Sequence, residues 1–428
     1  MRAPLVLALP FIKGETLSGY VSRNAKLHET TPRDFCSDLG MRGPFLCSGR
    51  DSQVERLAWL TGEPLETLQN WRTQKIGIGR YKVGQAVAST GVLRRTAVRL
   101  CPQCVLSALS DTGPHGVFQM LEWSVLCIHT CAQHSCPLIT LPSTKLSHAA
   151  YDFATHVLEH KSDVLRACQK AEELHETRFE RYIRQRIWCG PNDDWLRGMD
   201  LTHIHRASLS LGAALEGIRG PVPTDLSVVE EQSLCEIGFQ SLADGKEAFK
   251  AVLVDLHRAS TTERPYYSAD MGPFYHWMRE VHTQPALAEM VQITRNHVFD
   301  TYPTPLDKDV FGAKPTHQQW LTMDDARKRS GFGSVFLKRL LGYLNGVSKH
   351  EALKRTDVHV NEVERAKTYW NTLINLKDAA AKLCILPTQV KTLQTRGVLS
   401  SIKITSSLRY LLRDEVDGLL KAMDDLPS

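Results

Sequence analysis

Two short motifs between positions 101 and 134 have the residue types and spacing to hold a metal ion: Cys101-Pro102-Gln103-Cys104 and Cys131-Ala132-Gln133-His134. A C-x-x-C knuckle points two sulfurs at one ion from a single turn, which the proline after Cys101 stiffens, and a C-x-x-H knuckle completes a tetrahedral shell. The second half is crowded, because Cys127, His129, Cys131, His134 and Cys136 share one short run and only two of them are needed. Cys131 and His134 repeat the two-residue gap of the first knuckle, whereas the one-residue gap between Cys127 and His129 is a poorer bite. The favoured set is Cys101, Cys104, Cys131 and His134 around zinc, a closed shell and therefore a structural one.

No catalytic constellation accompanies it. The chain has no H-E-x-x-H and no P-loop, and Gly77-Ile78-Gly79 lacks the rest of a phosphate-binding fingerprint, so the expectation is a protein that is not an enzyme. Cations offer a different chemistry. Arg72, Lys75, Arg80, Lys82, Arg94, Arg95 and Arg99 run through Gly-rich chain into the first knuckle, where they either track a phosphate backbone or form a solvated surface. Arg178, Arg181, Arg184 and Arg186 crowd a later helix, either as a solvated face or as a contact for DNA or an acidic partner.

The elements that must position these residues read as helices. From Phe11 the chain reads as a strand-like entry, a turn at Gly14 and a helix bearing Leu17, Tyr20, Val21 and Asn24; Thr31-Pro32 opens a second that Gly40 ends. Ser52 and Glu55 have capping-box spacing ahead of Leu57 and Leu60, and after Gly62 another helix starts at Pro64, the outline of a helix-turn-helix. Phe118, Leu121, Trp123 and Val125 alternate as in a hairpin or short strand beside the metal, with Trp123 in the core. Val157 to Trp188 has helical periodicity, Gly220-Pro221-Val222-Pro223 a linker's composition, Thr261-Thr262-Glu263-Arg264-Pro265 a loop's, and Ala248 to Leu256 that of a core helix. Thr322 caps a helix that turns at Gly331-Phe332-Gly333 into a second, on which Lys338 and Arg339 are expected exposed. A related arrangement recurs from Leu376 through Gly397, followed by strands Ile402-Lys403-Ile404 and Leu408 to Leu412 around Thr405-Ser406-Ser407, and a last helix from Arg413 to Met423. That winged-helix outline puts Thr388, Gln389, Lys391, Thr392, Gln394 and Arg396 on its second helix, for DNA or for a protein partner.

The whole chain sets bounds. Its 428 residues suit two to four domains, and 52 Lys and Arg against 47 Asp and Glu give +5, too little for a nucleic-acid coating protein, so any DNA contact is local. Eleven cysteines without disulfide spacing and no expected secretory leader point to a reducing cytoplasm. No run approaches the ~20 apolar residues a bilayer requires.

On its motifs the chain resembles the TniQ/TnsD family, target-selection subunits of transposons that also encode an AAA+ ATPase. Phe11, Glu15-Thr16-Leu17-Ser18 and Tyr20 are similar to the family's opening E-[ST]-L pattern. Its C-P-x-C knuckle, Trp and C-x-x-H-x-x-x-L are matched by Cys101 to Cys104, Trp123, and Cys131 to His134 with Leu138, which supports the same ligand choice. Asp194 to Leu201 with Leu209-Ser210-Leu211-Gly212, Ile237-Gly238-Phe239 through Lys246, and Met271 to Trp277 resemble its middle segments, so the resemblance spans roughly residues 8 to 345. Gly19, where Ser is common, and the extra Cys127, His129 and Cys136 depart from the pattern.

The expected fold is mainly α, with helix-turn-helix modules, a small structural zinc finger or ribbon, and a C-terminal winged-helix-like module. Its segments are 1–97 (amino-terminal helix-turn-helix region), 98–142 (zinc module), 143–305 (helical middle), 306–350 (helix-turn-helix) and 351–428 (winged helix). The resemblance implies an adaptor that binds DNA, a CRISPR RNA-guided effector of the Cascade type, or both, and recruits an AAA+ ATPase of the TnsC/TniB kind. It makes a homodimer plausible. The alternative is a zinc-containing protein that reads an attachment site or an operator directly. Nucleic-acid contacts are expected from Arg72, Lys75, Arg80, Lys82, Arg94, Arg95, Lys338, Arg339, Gln389, Lys391 and Arg396.

Overall fold

The structure is a computed structural model that describes residues 3–94, 98–142, 151–260, 266–404 and 409–424. It is mainly α, with small antiparallel sheets, and divides into two compact units, Met1–Ala259 with Ser268–Glu289, and Ser260–Tyr267 with Met290–Ser428.

In the first unit Thr16 accepts the Gly19 N–H and caps α1 (Leu17–Leu27), and Thr31 caps α2 (Pro32–Asp38), whose first residue is a proline. After α3 (Gly43–Cys47), α4 (Asp51–Thr61) begins on Arg50 without a side-chain cap, so the box expected from Ser52 and Glu55 is not made. Leu57 and Leu60 are buried as their spacing requires. Gly62 ends α4 at φ +75° and Pro64 leads into α5 (Leu65–Asn70). The Gly-rich basic stretch beyond it is not irregular. It forms an antiparallel meander of β1 (Thr73–Gly77), β2 (Arg80–Val83) and β3 (Ala86–Ser89), fastened by the buried alternate residues Tyr81, Val83, Ala86 and Ala88.

Next, β4 (Arg99–Leu100) leads into α6 (Pro102–Thr112), then comes the hairpin of β5 (Thr130–Cys131) and β6 (Cys136–Pro137), and β7 (Ile139–Thr140) returns to pair with β4. The hairpin or short strand expected around Trp123 is instead a 3-10 turn, Leu121–Ser124, closed by Trp123 N–H to Met120 O at 3.2 Å and Val125 N–H to Glu122 O at 3.0 Å. Trp123 itself is buried in the core, as expected.

The periodic stretch from Val157 to Trp188 is broken into α7 (Phe153–Glu159), α8 (Lys161–Lys170) and α9 (Arg178–Cys189). Then come α10 (Leu201–Leu215), α11 (Val228–Ala243) and α12 (Lys246–Arg258), with Phe249, Leu253 and Leu256 buried. The loop expected at 261–265 lies outside the described residues. α10 and α11 cross at Gly212 and Gly238. A Cβ on Gly212 would stand 1.9 Å from Leu234 O, and one on Gly238 1.9 Å from Ser208 O, so only glycine allows this approach. α13 (Tyr267–Asp270), α14 (Gly272–Val281) and α15 (Ala288–Thr301) complete the helical middle, and the boundary between the units falls within α15.

The second unit contains a duplication. Its first copy is β8 (Trp320–Thr322), α16 (Met323–Ser330), α17 (Ser334–Leu344), α18 (Lys349–Lys354), β9 (Asp357–His359) and α19 (Val360–Asn371). Its second copy is β10 (Leu373–Asn375), α20 (Leu376–Lys382), α21 (Pro387–Thr395), β11 (Ile402–Lys403), β12 (Arg409–Leu412) and α22 (Arg413–Asp424). In the first sheet Trp320, Leu321 and Thr322 pair with His359, Val358 and Asp357, and in the second Leu373, Ile374 and Asn375 pair with Leu412, Leu411 and Tyr410. Every residue of the first pairing therefore has its counterpart 53 positions on, as Trp320 to Leu373 and His359 to Leu412 show. The same interval relates the helix caps Thr322 and Asn375, and the left-handed residues Gly331 and Cys384. It also relates the buried pairs Ala326 and Ala379, Leu337 and Val390, Val363 and Val416. The expected boundary at residue 350 falls inside the first copy, because β9 closes the sheet that β8 opens. The turn expected at 405–407 lies outside the described residues. Among those residues no helix is long and apolar enough to cross a membrane.

Candidate metal centre and nucleic-acid faces

The first knuckle is built by a helix start. Cys101 is the N-cap residue of α6, Pro102 occupies the first position, and the Cys104 N–H donates to Cys101 Sγ at 3.4 Å. The second is built by the β5–β6 hairpin, whose turn is closed by Ser135 N–H to Cys131 O at 2.9 Å with Ser135 at φ +46°, bringing His134 back over Cys131. Together they place the ligand atoms of Cys101, Cys104, Cys131 and His134 within 4.8 Å of one another, the three cysteines buried and His134 half-buried.

The spacing fits a tetrahedral ion. Zinc bonds of about 2.3 Å to sulfur and about 2.0 Å to nitrogen place two sulfurs about 3.8 Å apart and a sulfur and a nitrogen about 3.5 Å apart. Cys104 Sγ lies 3.7 Å from Cys131 Sγ, and His134 Nδ1 lies 3.5, 3.2 and 3.6 Å from the sulfurs of Cys101, Cys104 and Cys131. The cluster can therefore hold a metal ion. Cys136 stands beside it, its Sγ 3.6 Å from Cys101 Sγ. A thiol there can donate S–H to a metal-bound thiolate without joining the shell.

Cys127 and His129 go elsewhere. Both are buried in a polar cluster with Arg99, Glu180, His205 and Glu231. Glu180 is wholly buried; its two oxygens accept the His129 N–H at 2.6 Å and the Thr130 hydroxyl at 2.5 Å, which clamps the residues just before Cys131. Burial raises this carboxyl above the usual range. Arg99 donates to the carbonyls of Trp123, Val125 and Ile128 at 3.1, 2.8 and 2.7 Å, knotting the segment between the knuckles. Neither Arg99 nor Glu180 carries a spacing signal, so sequence reasoning passed over Glu180 and took Arg99 as a surface cation.

The Arg-rich helix divides the same way. Arg184 turns inward, donating to Glu122 at 2.8 Å and to Thr130 O at 3.0 Å, and Arg186 is buried against the Leu196 and Met199 carbonyls, while Arg178 and Arg181 are exposed.

The amino-terminal motif docks on the chain between the knuckles. Thr16 N–H donates to Gln119 O at 2.8 Å, Leu121 N–H to Gly14 O at 2.7 Å, and Glu15 forms a β-bridge with Met120. Glu15 is wholly buried, its Oε1 bound to Arg23 at 2.8 Å and to the Ile12 N–H at 2.8 Å, its Oε2 without a hydrogen bond among the described residues. Burial pushes its carboxyl up to about 7 against the pull of Arg23.

The expected nucleic-acid residues fall into two groups. In the first unit Arg72 turns inward to the Asp51 carboxylate, Gly49 O and Gln74, and so is structural; Lys75, Arg80 and Arg94 are exposed and Lys82 is half-buried. Arg95 lies outside the described residues. In the second unit Lys338 and Arg339 are half-buried and not exposed as expected, and Lys338 Nζ donates to Leu353 O of α18 at 2.9 Å. Gln389 accepts the Leu386 N–H at 2.8 Å at the start of α21, and Lys391 and Arg396 are exposed.

The duplication explains the contrast. α18 covers the face of α17 that carries Lys338 and Gly342, where a Gly342 Cβ would lie 2.6 Å from Ala352 Cβ. The counterparts on α21 are Lys391 and Thr395, both exposed. Val335, Phe336 and Tyr343 of the first copy correspond to Thr388, Gln389 and Arg396 of the second, an apolar set replaced by a polar one. No Asp or Glu occurs from 379 to 413, and Lys391, Arg396, Lys403 and Arg409 form no ion pair among the described residues.

A helix-borne C-x-x-C facing a hairpin-borne C-x-x-H, buttressed by a capped helical bundle, defines a helical protein with a knuckle-type cluster able to hold a metal ion. The TniQ family model matches residues 6–138, from the turn before α1 to just past the second knuckle, so this stretch of the chain is similar to the TniQ family. Glu15, Thr16, Leu17 and all four residues of the cluster lie inside the matched stretch. The middle segments around Gly212 and Gly238 lie outside it. No curated protein matches the chain.

Proposed function

We propose that the protein is a non-catalytic target-selection adaptor whose zinc-stapled amino-terminal unit is a platform for other transposition components and whose second unit engages DNA. The observation that carries this reading is that the two motif sets of the family match are one structure, with Glu15-Thr16-Leu17 bound to the segment that joins the knuckles. Zinc closes the cluster with four ligands, shapes that segment and supplies no chemical step. The partners that complete the role are an AAA+ ATPase, recruited once the site is marked, and a CRISPR RNA-guided effector of the Cascade type. The second reading, direct recognition of an attachment site, is favoured by the bare cationic face of α21.

Copurification with an effector and the ATPase, followed by mobility shift of the free protein on transposon attachment DNA, tests both. Capture of effector and ATPase with weak, nonspecific DNA binding supports the adaptor. Specific binding by the free protein, steep in salt, supports the direct reader. Capture of neither component, with no DNA binding, refutes both.

A further inference from the structure

The β1–β2 hairpin combines an apolar tip with a cationic stem. The pairing register shifts between Lys75 and Gly77, so Ile76 is the extra residue of a bulge, and the turn Gly77-Ile78-Gly79-Arg80 closes with Gly79 at φ +65°. Ile78 is fully exposed and Ile76 is 47 % exposed. A bare isoleucine at a loop tip gains nothing for the fold. Lys75 and Arg80 beside it are exposed and make no ion pair among the described residues, and the chain from 67 to 110 contains no Asp or Glu.

The root, in contrast, is rigid. Arg72 is bonded to Asp51 at the start of α4, the Lys75 N–H reaches Ser48 O at 3.4 Å, and Trp71 packs edge-on against Trp188 at 4.4 Å. The hairpin is thus a fixed projection beyond the helix pair α4 and α5. Cations flanking an exposed aliphatic tip match duplex DNA: the cations neutralise phosphates along the minor groove, and the apolar side chain enters between base pairs and unstacks them. A protein groove would suit the isoleucine but not the exposed cations on either side of it.

We propose that this hairpin is a minor-groove wedge, with Ile78 inserted at a base step and Lys75, Arg80 and Lys82 on the flanking phosphates, so that the protein bends its target. This rests on the DNA-engaging reading above and adds to it a distorted DNA product. Most of the wedge's contact energy is offset by unstacking, so removing it changes bend more than affinity.

The test uses the full chain loaded with zinc. Its probes are an AT-rich duplex carrying a fluorescence energy-transfer pair at its ends and the same duplex with 2-aminopurine at central adenines. The wild type is expected to raise both end-to-end transfer and 2-aminopurine emission on binding. Ile78→Ala, at a wholly exposed position that cannot disturb the core, is expected to abolish both signals while weakening binding by no more than about tenfold. Lys75→Ala with Arg80→Ala should lower affinity and reduce the log-log salt slope by about one for each phosphate that is no longer neutralised. Wild-type binding without bending, or bending unchanged by Ile78→Ala, overturns the wedge and leaves the target-selection reading standing. Absence of DNA binding by the chain, alone or with its ATPase, overturns both.

Discussion

At the scale of single residues, the metal cluster and Glu15 place opposite demands on protons. The thiols of Cys101, Cys104 and Cys131 must release protons to bind zinc, whereas burial raises the Glu15 carboxyl to about 7, so that it keeps its proton below that pH. Cys101→Ser or Cys131→Ser should lose stoichiometric zinc and lower the thermal midpoint, and Cys136→Ser should keep the metal, because its sulfur touches Cys101 alone of the four; elemental analysis beside thermal melts decides it. For Glu15, a folded value of about 7 above an ordinary 4.5 means that the native state holds a proton the unfolded chain has released in that window. Its contribution is fully present below the lower value and is lost as pH rises through 7, with a slope of at most about 1.4 kcal/mol per pH unit. Glu15→Gln, which cannot ionise, should therefore flatten the fall in urea midpoint between pH 5 and pH 8, and an unchanged slope would remove Glu15 as its source.

At the scale of elements, the crossing of α10 and α11 turns two separate sequence features into one contact. Gly212 and Gly238 were visible as parts of two segments, but nothing in a single sequence says that they meet. Gly212→Ala or Gly238→Ala drives a methyl group into a carbonyl, and the helices must part; we expect a loss of about 1–3 kcal/mol in urea unfolding, more than an Ala substitution costs at the exposed Gly418. What was legible elsewhere had local causes. Thr16, Thr31 and Thr322 cap helices through bonds three residues away, and the knuckles fix their own geometry within four residues. What was not legible depends on distant partners. The meander's period-two pattern is hidden by small and charged residues, Arg72 has its carboxylate at Asp51, and Arg184 finds Glu122 far along the chain. A cation's type reveals its charge but not which way it faces.

At the scale of the molecule, the 53-residue duplication supplies an internal control for the nucleic-acid reading. Both copies keep the strand pairing, the cap, the left-handed turn and the buried small residue after the cap, so both fold alike. They differ in the element after the second helix: α18 folds back on α17, whereas β11 leaves α21 bare. Related helices, one covered and one open, should respond differently to the same loss of charge. Lys391→Ala with Arg396→Ala should weaken DNA binding tenfold or more at low salt and reduce its salt dependence, with little change in stability, because both side chains are exposed and unpaired with acids among the described residues. Lys338→Ala removes a bond to Leu353 O and packing against α18, so it should lower the unfolding free energy by about 1 kcal/mol and leave DNA affinity nearly unchanged. Mobility shifts across a salt series, run beside urea melts, separate the two effects. If the Lys338 variant loses DNA affinity as the Lys391 and Arg396 variant does, α18 must move away on binding, and the first copy would be a second reader and not a support.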